Sequence, residues 1–489
     1  MKLSTSLTPF LFGILGIFSF APFSIKPLIF FSYAYLIKEL IFNNKRRISK
    51  LFYWSLGHWG LGMSWLIVSV YYYGQTSILI SLIVFILLVL ILTLAFSGPL
   101  FFISKVLISN IERHKIINLI LISSVLMLSE VSMNYLLYGI PWLISGATLL
   151  DTISQSIYPI FGALGGSFII YLSSALIASR WSNKDRLLLI YCIVPFIISF
   201  PNKNLINVEP RQDLNFTIIQ PSTDPFQKYN QGYSDQIEAN ILKLSKESSE
   251  KSTLIVLPEA ELPYAYEDIR FKEFQEKLPK QTIMGAWSYK NSNLYNSIVN
   301  STEGSQYNKV HLVPFGEFIP FEQYLRGLIS FFDMPMSTVN RGSIDQNTMY
   351  LDAFSEISYS ALICFDIAFS ESVRKSNISS KFIINVSNDT WFGNSIGPYH
   401  HLDLARIRAA ENNKWLIRAA NDGYSAIISN KGTIVDFLGK GQKGVLNGSL
   451  DFIDDRSFFS KYGYLFSYIL GISSVIISII INLWLRLDY

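Results

Sequence analysis

Charge is scarce in this chain. Of its 489 residues only 16% are Asp, Glu, Lys or Arg, against 50% hydrophobic and 15% aromatic. A composition so poor in charge excludes a disordered, solvated chain and points to one embedded in a membrane over much of its length. Cysteine is rarer still, with two residues in all, which excludes a disulfide-built scaffold. The five histidines show no metal-ligand spacing. Their one close pair, His400 and His401, is adjacent and does not readily share a tetrahedral ion, so no metal or other cofactor is expected. The sequence holds no internal repeat and no low-complexity tract.

What the chain has instead is long apolar runs. They lie near 7–25, 27–42, 51–73, 78–104, 116–138, 157–179, 187–200 and 463–485, and such runs suit helices that cross a bilayer. About eight spans are expected, the first, second and seventh being short or interrupted. Lys and Arg are confined to every second loop, with Lys45, Arg46, Arg47 and Lys50 in one, Lys105, Arg113 and Lys115 in another, and Arg180, Lys184 and Arg186 in a third. The alternate loops near 20–27, 72–78 and 139–156 hold only Lys26. Short cytoplasmic loops retain basic residues, so the N-terminus is expected inside and the polar stretch 201–462 on the outer face. The formal charge of +4 is largely this topological signal, and nothing points to nucleic acid. A cleavable signal peptide ending near Ser19-Phe20-Ala21 is the other reading of the first run. The charge alternation is satisfied with that run kept as a span.

The expected organisation is therefore a helical membrane domain over 1–200 with about seven spans, a polar domain over 201–462, and a last span with a short tail over 463–489. Within the polar domain, short β-like runs occur at Phe216–Gln220, Thr253–Leu257, Gln281–Trp287, Ser358–Ile363, Lys381–Val386 and Trp415–Ala420. Hairpins are expected between Tyr295–Val299 and Gln306–Leu312, and between Ser425–Ser429 and Thr433–Leu438. Ile237, Ile241 and Leu244 mark one face of a helix over about 232–248, and 397–413 also reads as a helix. Helices interleaved with buried strands indicate a layered α/β domain.

Three short motifs carry chemistry. Leu257-Pro258-Glu259 ends one strand, Tyr307-Asn308-Lys309 lies in a hairpin arm and leads into His311-Leu312-Val313-Pro314-Phe315-Gly316-Glu317, and Ile363-Cys364-Phe365-Asp366 ends another strand. A carboxylate, an amine and a thiol supply a base, an oxyanion stabiliser and a nucleophile, as acyl transfer through a thioester requires. Loops at strand ends bring such distant side chains together on a rigid base. Cys192 lies inside an apolar run and Cys364 in the polar domain, so the two are not expected to pair.

These residues resemble the nitrilase, or carbon–nitrogen hydrolase, superfamily, whose sites use Glu, Lys and Cys in that chain order. More narrowly, the chain resembles the bacterial apolipoprotein N-acyltransferases over nearly its whole length. The likeness rests on the run His311 to Pro320, on Val386-Ser387-Asn388-Asp389-Thr390-Trp391-Phe392-Gly393, and on Gly397-Pro398 with His401, Ala405-Arg406 and Arg408-Ala409. In the membrane half it rests on Gly139-Ile140-Pro141-Trp142. The resemblance implies an αββα sandwich for the polar domain, with Glu259 as general base, Lys309 as oxyanion cation, Cys364 as the acylated nucleophile and Glu317 holding Lys309 charged. It implies supporting positions at Tyr229, Phe365, Asp366, Asn388 and Trp391. It further implies a phospholipid acyl donor, diacylglyceryl-modified apolipoproteins as acceptors, contact with membrane lipids, and a bacterial inner membrane location with the catalytic domain in the periplasm.

The chain departs from the family pattern at several points. Phe365-Asp366 stands where Tyr-Glu is common, Tyr229 where Trp follows Lys, and Met133 where an Arg is expected after Glu130. Two readings stand for the intramembrane Glu130. It lines a vestibule beneath the site, or it sits near the end of its span or is protonated and bonded to a neighbour such as Asn134. The apolar segment Phe331-Phe332-Asp333-Met334-Pro335-Met336 reads either as a mobile lid or as packed core. Two other functions remain open, a membrane-tethered amidase or nitrilase that gives its acyl group to water and a catalytically inactive lipid-handling scaffold.

Overall fold

The structure, a computed structural model, describes residues 4–41, 46–106, 115–135, 139–180, 187–198, 213–230, 232–302, 304–314, 316–318, 339–352 and 356–487. The chain divides into two compact units. One comprises Met1–Asn202, Asn394–Asp403 and Lys461–Tyr489, the other Lys203–Gly393 and Leu404–Ser460.

The first unit is helical. Its main helices are Ser4–Ile17, Leu28–Ile41, Arg47–Gly62, Ile78–Val106, Lys115–Ser132, Tyr158–Arg180, Leu187–Ile197 and Leu465–Leu487, so each apolar run contains a helix. The first run is helical only to Ile17. Pro22 and Pro27, which lack the N–H a helix needs, follow in the turn before Leu28. By length and composition Ile78–Phe101 and Ile153–Arg180 are long and apolar enough to cross a membrane, and Ser6–Ile17, Ile116–Ser132 and Leu465–Ile481 are shorter apolar helices. Glu130 is buried among them. Its Oε1 accepts the Ser145 N–H at 2.7 Å and the Tyr171 hydroxyl, and the Ser145 hydroxyl reaches Tyr33 at 3.0 Å. Asn134 is not its partner, because that amide caps its own helix end by donating to the Val131 carbonyl at 3.2 Å. Trp142 of the Gly-Ile-Pro-Trp motif donates to His400 Nδ1 at 3.2 Å within this unit.

The second unit is built on two six-stranded sheets. The strands are β1 (Leu214–Gln220), β2 (Leu254–Val256), β3 (Gln281–Lys290), β4 (Asn293–Asn300), β5 (Gln306–Asn308), β6 (Met349–Tyr350), β7 (Ser358–Ile363), β8 (Phe382–Ser387), β9 (Leu416–Ala420), β10 (Ser425–Ile428), β11 (Ile434–Leu438) and β12 (Gly444–Leu450). One sheet runs β12-β1-β2-β3-β4-β5 and the other β11-β10-β9-β8-β7-β6. Each has a parallel centre, β1-β2-β3 and β7-β8-β9, flanked by antiparallel strands.

Alternation along the strands builds the layers, because successive side chains point to opposite faces. Phe216 and Ile218 of β1 pack with Val256, Ile283, Ile363, Ile384, Val386, Ile417 and Ile427 in a core shared by the two sheets. Their neighbours Ile219, Ile255 and Met284 face the other way and pack on Ile237, Ile241 and Leu244 of helix Tyr233–Ser245 and on Phe271 and Phe274 of helix Ile269–Glu276. On the second sheet, helix Ser370–Ser376 joins β7 through Ser376 and Ser360 at 2.6 Å. The mixed sheets, the shared core and the helical cover are the expected layered α/β arrangement.

Two close approaches shape this unit. β12 crosses the core at Gly448, where a Cβ would lie 2.1 Å from Ile427 Cδ1. Gly285 of β3 donates its N–H to the Pro258 carbonyl at 3.0 Å, and a Cβ there would lie 2.5 Å from Glu259 Cα and Ala260 N. Those neighbours are backbone atoms and do not rotate aside. Gly285→Ala is therefore expected to lower stability by about 1–3 kcal/mol through overpacking and to displace Glu259. Thermal melting of the purified protein checks it, and an unchanged midpoint would contradict the close approach.

Candidate active site

The carboxyl ends of the parallel strands converge on one polar cluster within the second unit. Glu259 follows β2, Lys309 follows β5, Cys364 follows β7 and Asn388 follows β8. The Lys309 N–H donates to the Asn296 carbonyl at 2.8 Å, and the Lys309 carbonyl accepts the Gly342 N–H at 2.8 Å, which fixes the backbone under the ammonium. That ammonium is 1% exposed. It donates to Glu259 Oε1 at 3.1 Å and to Glu317 Oε1 at 2.9 Å. Burial alone would lower the Lys309 pKa, but the two carboxylates and the nearby thiol hold it well above its ordinary value. An ammonium has three N–H donors, so one remains beyond these two acceptors for another oxygen.

The carboxylates are held in turn. Glu259 Oε2 accepts the Asn388 N–H at 2.8 Å, and its Oε1 also accepts Asn296 Nδ2 at 2.7 Å. Glu317 Oε2 accepts the Val313 N–H at 2.9 Å and its Oε1 accepts Asn296 Nδ2 at 3.0 Å. Asn296 thus bridges both acids, and strand reading passed over it. Its signal in the sequence is a carboxamide in the middle of the strand run Tyr295–Val299.

Cys364 sits where β7 turns into the short 3-10 turn Cys364–Ala368, with φ +45°. The left-handed region is unfavourable for a residue with a Cβ, and such strain marks positions the surroundings over-determine. Burial pushes the thiol well up from its ordinary range, Glu259 adds to this, Lys309 pulls it back, Asp389 raises it again and a hydrogen bond with Ser387 lowers it. A carboxylate oxygen of Asp389 lies within 4.8 Å of the sulfur. Asp389 accepts the Ser387 hydroxyl at 2.8 Å and Arg418 Nη2 at 2.7 Å. The acid behind the sulfur therefore has its own cation.

Asp366 does not point its carboxylate at the thiol. It accepts the Ile363 N–H at 3.1 Å, the His311 N–H at 2.7 Å and the Tyr307 hydroxyl at 3.1 Å, tying the Cys364 turn to the two residues that flank Lys309 at a distance of two. Burial raises its carboxyl to about 6 against these bonds. Phe365 is half-buried and meets Phe369 edge-on at 5.2 Å, and Phe369 stacks on His311 at 3.6 Å. Tyr229 is 50% exposed and accepts Trp287 Nε1 at 3.1 Å. Trp391 is half-buried in the turn Asp389–Phe392. The apolar segment 331–336 and Phe315 lie outside the described residues.

Comparison with known proteins follows this geometry. The family model for carbon-nitrogen hydrolase matches residues 229–454, and that for the apolipoprotein N-acyltransferase N-terminal domain matches residues 12–176. The chain is 32% identical to the apolipoprotein N-acyltransferase of Haemophilus influenzae over 464 residues, covering 89% of this chain and 86% of that protein. Identity is 32% to the Pasteurella multocida protein of the same name, over 89% and 87%, and 29% to that of Vibrio parahaemolyticus, over 91% of each.

Glu259 and Lys309, the charged groups that act most strongly on the thiol, are expected to fail differently. With Glu259 as the expected proton acceptor, acylation of Cys364 by a soluble ester should fall in Glu259→Gln at neutral pH and recover partly as pH rises and thiolate forms without it. With Lys309 as the expected oxyanion donor, a role worth about 10²–10³ in rate, Lys309→Met should stay slow at every pH. Parallel pH profiles for the two variants would refute the division of roles.

Proposed function

The chain belongs to the apolipoprotein N-acyltransferase family, and on that premise we propose that it moves a fatty acyl chain from a membrane phospholipid to the α-amine of the lipid-modified N-terminal cysteine of an apolipoprotein. The observation that carries this reading is the buried thiol of Cys364 at the end of β7, set against an ammonium and two carboxylates.

The reaction runs in two halves. Glu259 takes the Cys364 proton, which matters because a buried thiol holds little thiolate at neutral pH. The thiolate attacks an ester carbonyl of the phospholipid, and the Lys309 ammonium meets the charge that develops on oxygen. The ester C–O bond breaks, Glu259 returns the proton to the departing glycerol oxygen, and a lysophospholipid leaves S-acyl Cys364 behind. The acceptor's α-amine then attacks the thioester, Glu259 takes the amine proton, and the sulfur departs and is reprotonated. An amide is more stable than a thioester, so this half runs downhill. Phe365 and Phe369 place an apolar ring pair beside the turn that carries Cys364, an environment that suits acyl chains better than water.

Both lipid substrates require a bilayer. Leu79, Leu87 and Leu94 of helix Ile78–Val106 are 66%, 54% and 63% exposed, and helix Leu465–Leu487 exposes Ile469, Ile472, Ile476, Ile480 and Leu483. Apolar surface on this scale is costly in water and ordinary in lipid. All eight apolar helices are taken as spans, with the N-terminus inside and the catalytic unit on the periplasmic face of the inner membrane.

Intact mass of the purified protein after incubation with phospholipid tests the first half. One acyl increment is expected on the native chain and none on Cys364→Ala. A peptide with a diacylglyceryl N-terminal cysteine should discharge the increment as amide, whereas release as free acid would favour the hydrolase. Topology has its own test in spheroplasts. Lys251→Cys, at an exposed position of the catalytic unit, should react with a membrane-impermeant thiol reagent and Arg46→Cys should not. The opposite labelling pattern would invert the orientation.

A further inference from the structure

Lys228 and Glu261, two buried titratable groups that act on each other electrostatically, have no part in the reaction as described. Lys228 and Glu261 are 8% and 1% exposed. The Lys228 ammonium donates to the carbonyl of Ala260, the residue after Glu259, which is held at φ +45°. Glu261 accepts the Thr223 hydroxyl. From Thr223 a chain of hydrogen bonds returns to Glu259. The Thr223 N–H donates to Asn421 Oδ1 at 2.7 Å and Asn421 Nδ2 donates to Thr390 Oγ1 at 3.4 Å. The Thr390 hydroxyl donates to Asn388 Oδ1 at 2.7 Å, and the Asn388 N–H donates to Glu259 Oε2 at 2.8 Å.

We propose that Lys228 and Glu261 are the positioning pair of the general base. Lys228 clamps the strained backbone that carries Glu259 and offsets the charge of both carboxylates facing it, while the charge on Glu261 sets how strongly Glu259 draws the thiol proton. This rests on the reading of Glu259 as the acceptor of that proton.

The electrostatics support the geometry. Burial lowers the Lys228 pKa, with Glu261 and then Glu259 opposing it. Burial raises the Glu261 carboxyl to about 7, against Lys228 and the Thr223 bond. The charged and titratable groups facing the pair are Glu259 and Tyr229, whose ring centre is 5.5 Å from the Lys228 ammonium. Above pH 7 Glu261 is anionic and offsets the Lys228 charge that also faces Glu259. Below pH 7 it is neutral and Lys228 acts alone, so the pull weakens. Glu261→Gln keeps the volume and an acceptor for Thr223 but never carries charge.

The test is alkylation of Cys364 by iodoacetamide in the full-length purified protein from pH 5.5 to 9, read by peptide mass with Cys192 as internal reference. The native chain should show an inflection near pH 7. Glu261→Gln should lose it, alkylating at least about threefold more slowly above pH 8 and at the native rate below pH 6, a lower bound on what one unit charge does to another at close range in a protein. Lys228→Met should be slow throughout, because losing the clamp on the Ala260 carbonyl outweighs losing the charge. A native profile in Glu261→Gln, or in a folded Lys228→Met, would overturn the proposal. If Lys228→Met does not fold, the isosteric Glu261→Gln decides alone. Alkylation that follows these profiles in a protein that phospholipid never acylates would support the pair and remove the acyl-transfer reading, so the two failures are distinguishable.

Discussion

The constraint on which the site depends is a desolvated ammonium shared between two carboxylates. Removing Lys309 from water is unfavourable unless opposite charge and hydrogen bonds replace the solvent. Glu259 and Glu317 supply the charge, and their own remaining lone pairs are met by Asn296 and by the N–H groups of Asn388 and Val313. None of these partners is free to reorient, because each is backbone or a strand side chain. The ammonium is therefore held in place by its surroundings, and under the proposed mechanism a fixed donor stabilises a developing oxyanion without rearrangement.

The sheets explain how residues so far apart in sequence reach this point. Each sheet has a parallel triple at its centre, and parallel strands leave all their carboxyl ends on one edge. Glu259, Cys364, Asn388 and Asn421 follow β2, β7, β8 and β9 respectively. Ile363 pairs with Val386, and Ser387 with Ala420, so the thiol, the Asn388 loop and the Asn421 loop are adjacent by register alone. Asp389 and Arg418 then neutralise each other beneath the sulfur. Arg418 offsets part of the charge by which Asp389, like Glu259, raises the proton affinity of the thiol.

Much of this architecture was legible where local pattern and tertiary role agree. The strand over Ser358–Ile363 has the bounds read from its buried, β-rich run, and β10 and β11 form the hairpin expected around Asn430-Lys431-Gly432. β12 was not read, because Gly444 and Gly448 give it poor strand character, and Gly448 is needed where the sheet meets Ile427. The hairpin arm carrying Lys309 is shorter than its sequence suggests, ending at Asn308, since the next carbonyl is taken by Gly342 rather than by a strand. Asn296 and Glu261 escaped notice, and Lys228 drew it only as the residue before Tyr229, for a different reason. Their importance lies in contacts with residues tens of positions away, and a polar residue in a short strand or loop carries no local mark of them.

The departures at Phe365 and Asp366 argue less for an inactive scaffold than the sequence alone suggests. An acid working on the sulfur would feel the loss of one methylene directly. Asp366 instead braces the turn, and its partners are two backbone N–H groups and the Tyr307 hydroxyl, all within 3.1 Å. A shorter carboxylate therefore still fills its place. The hydroxyl missing at Phe365 leaves an edge-on contact to Phe369, which in turn stacks on His311. Burial, and then Arg341, depress that imidazole to about 3, so it brings no extra cation beside Lys309. What Phe365 changes is thus an aromatic contact beside the thiol turn, while the ion pairs around the site are kept: Lys309 with Glu259 and Glu317, and Arg418 with Asp389.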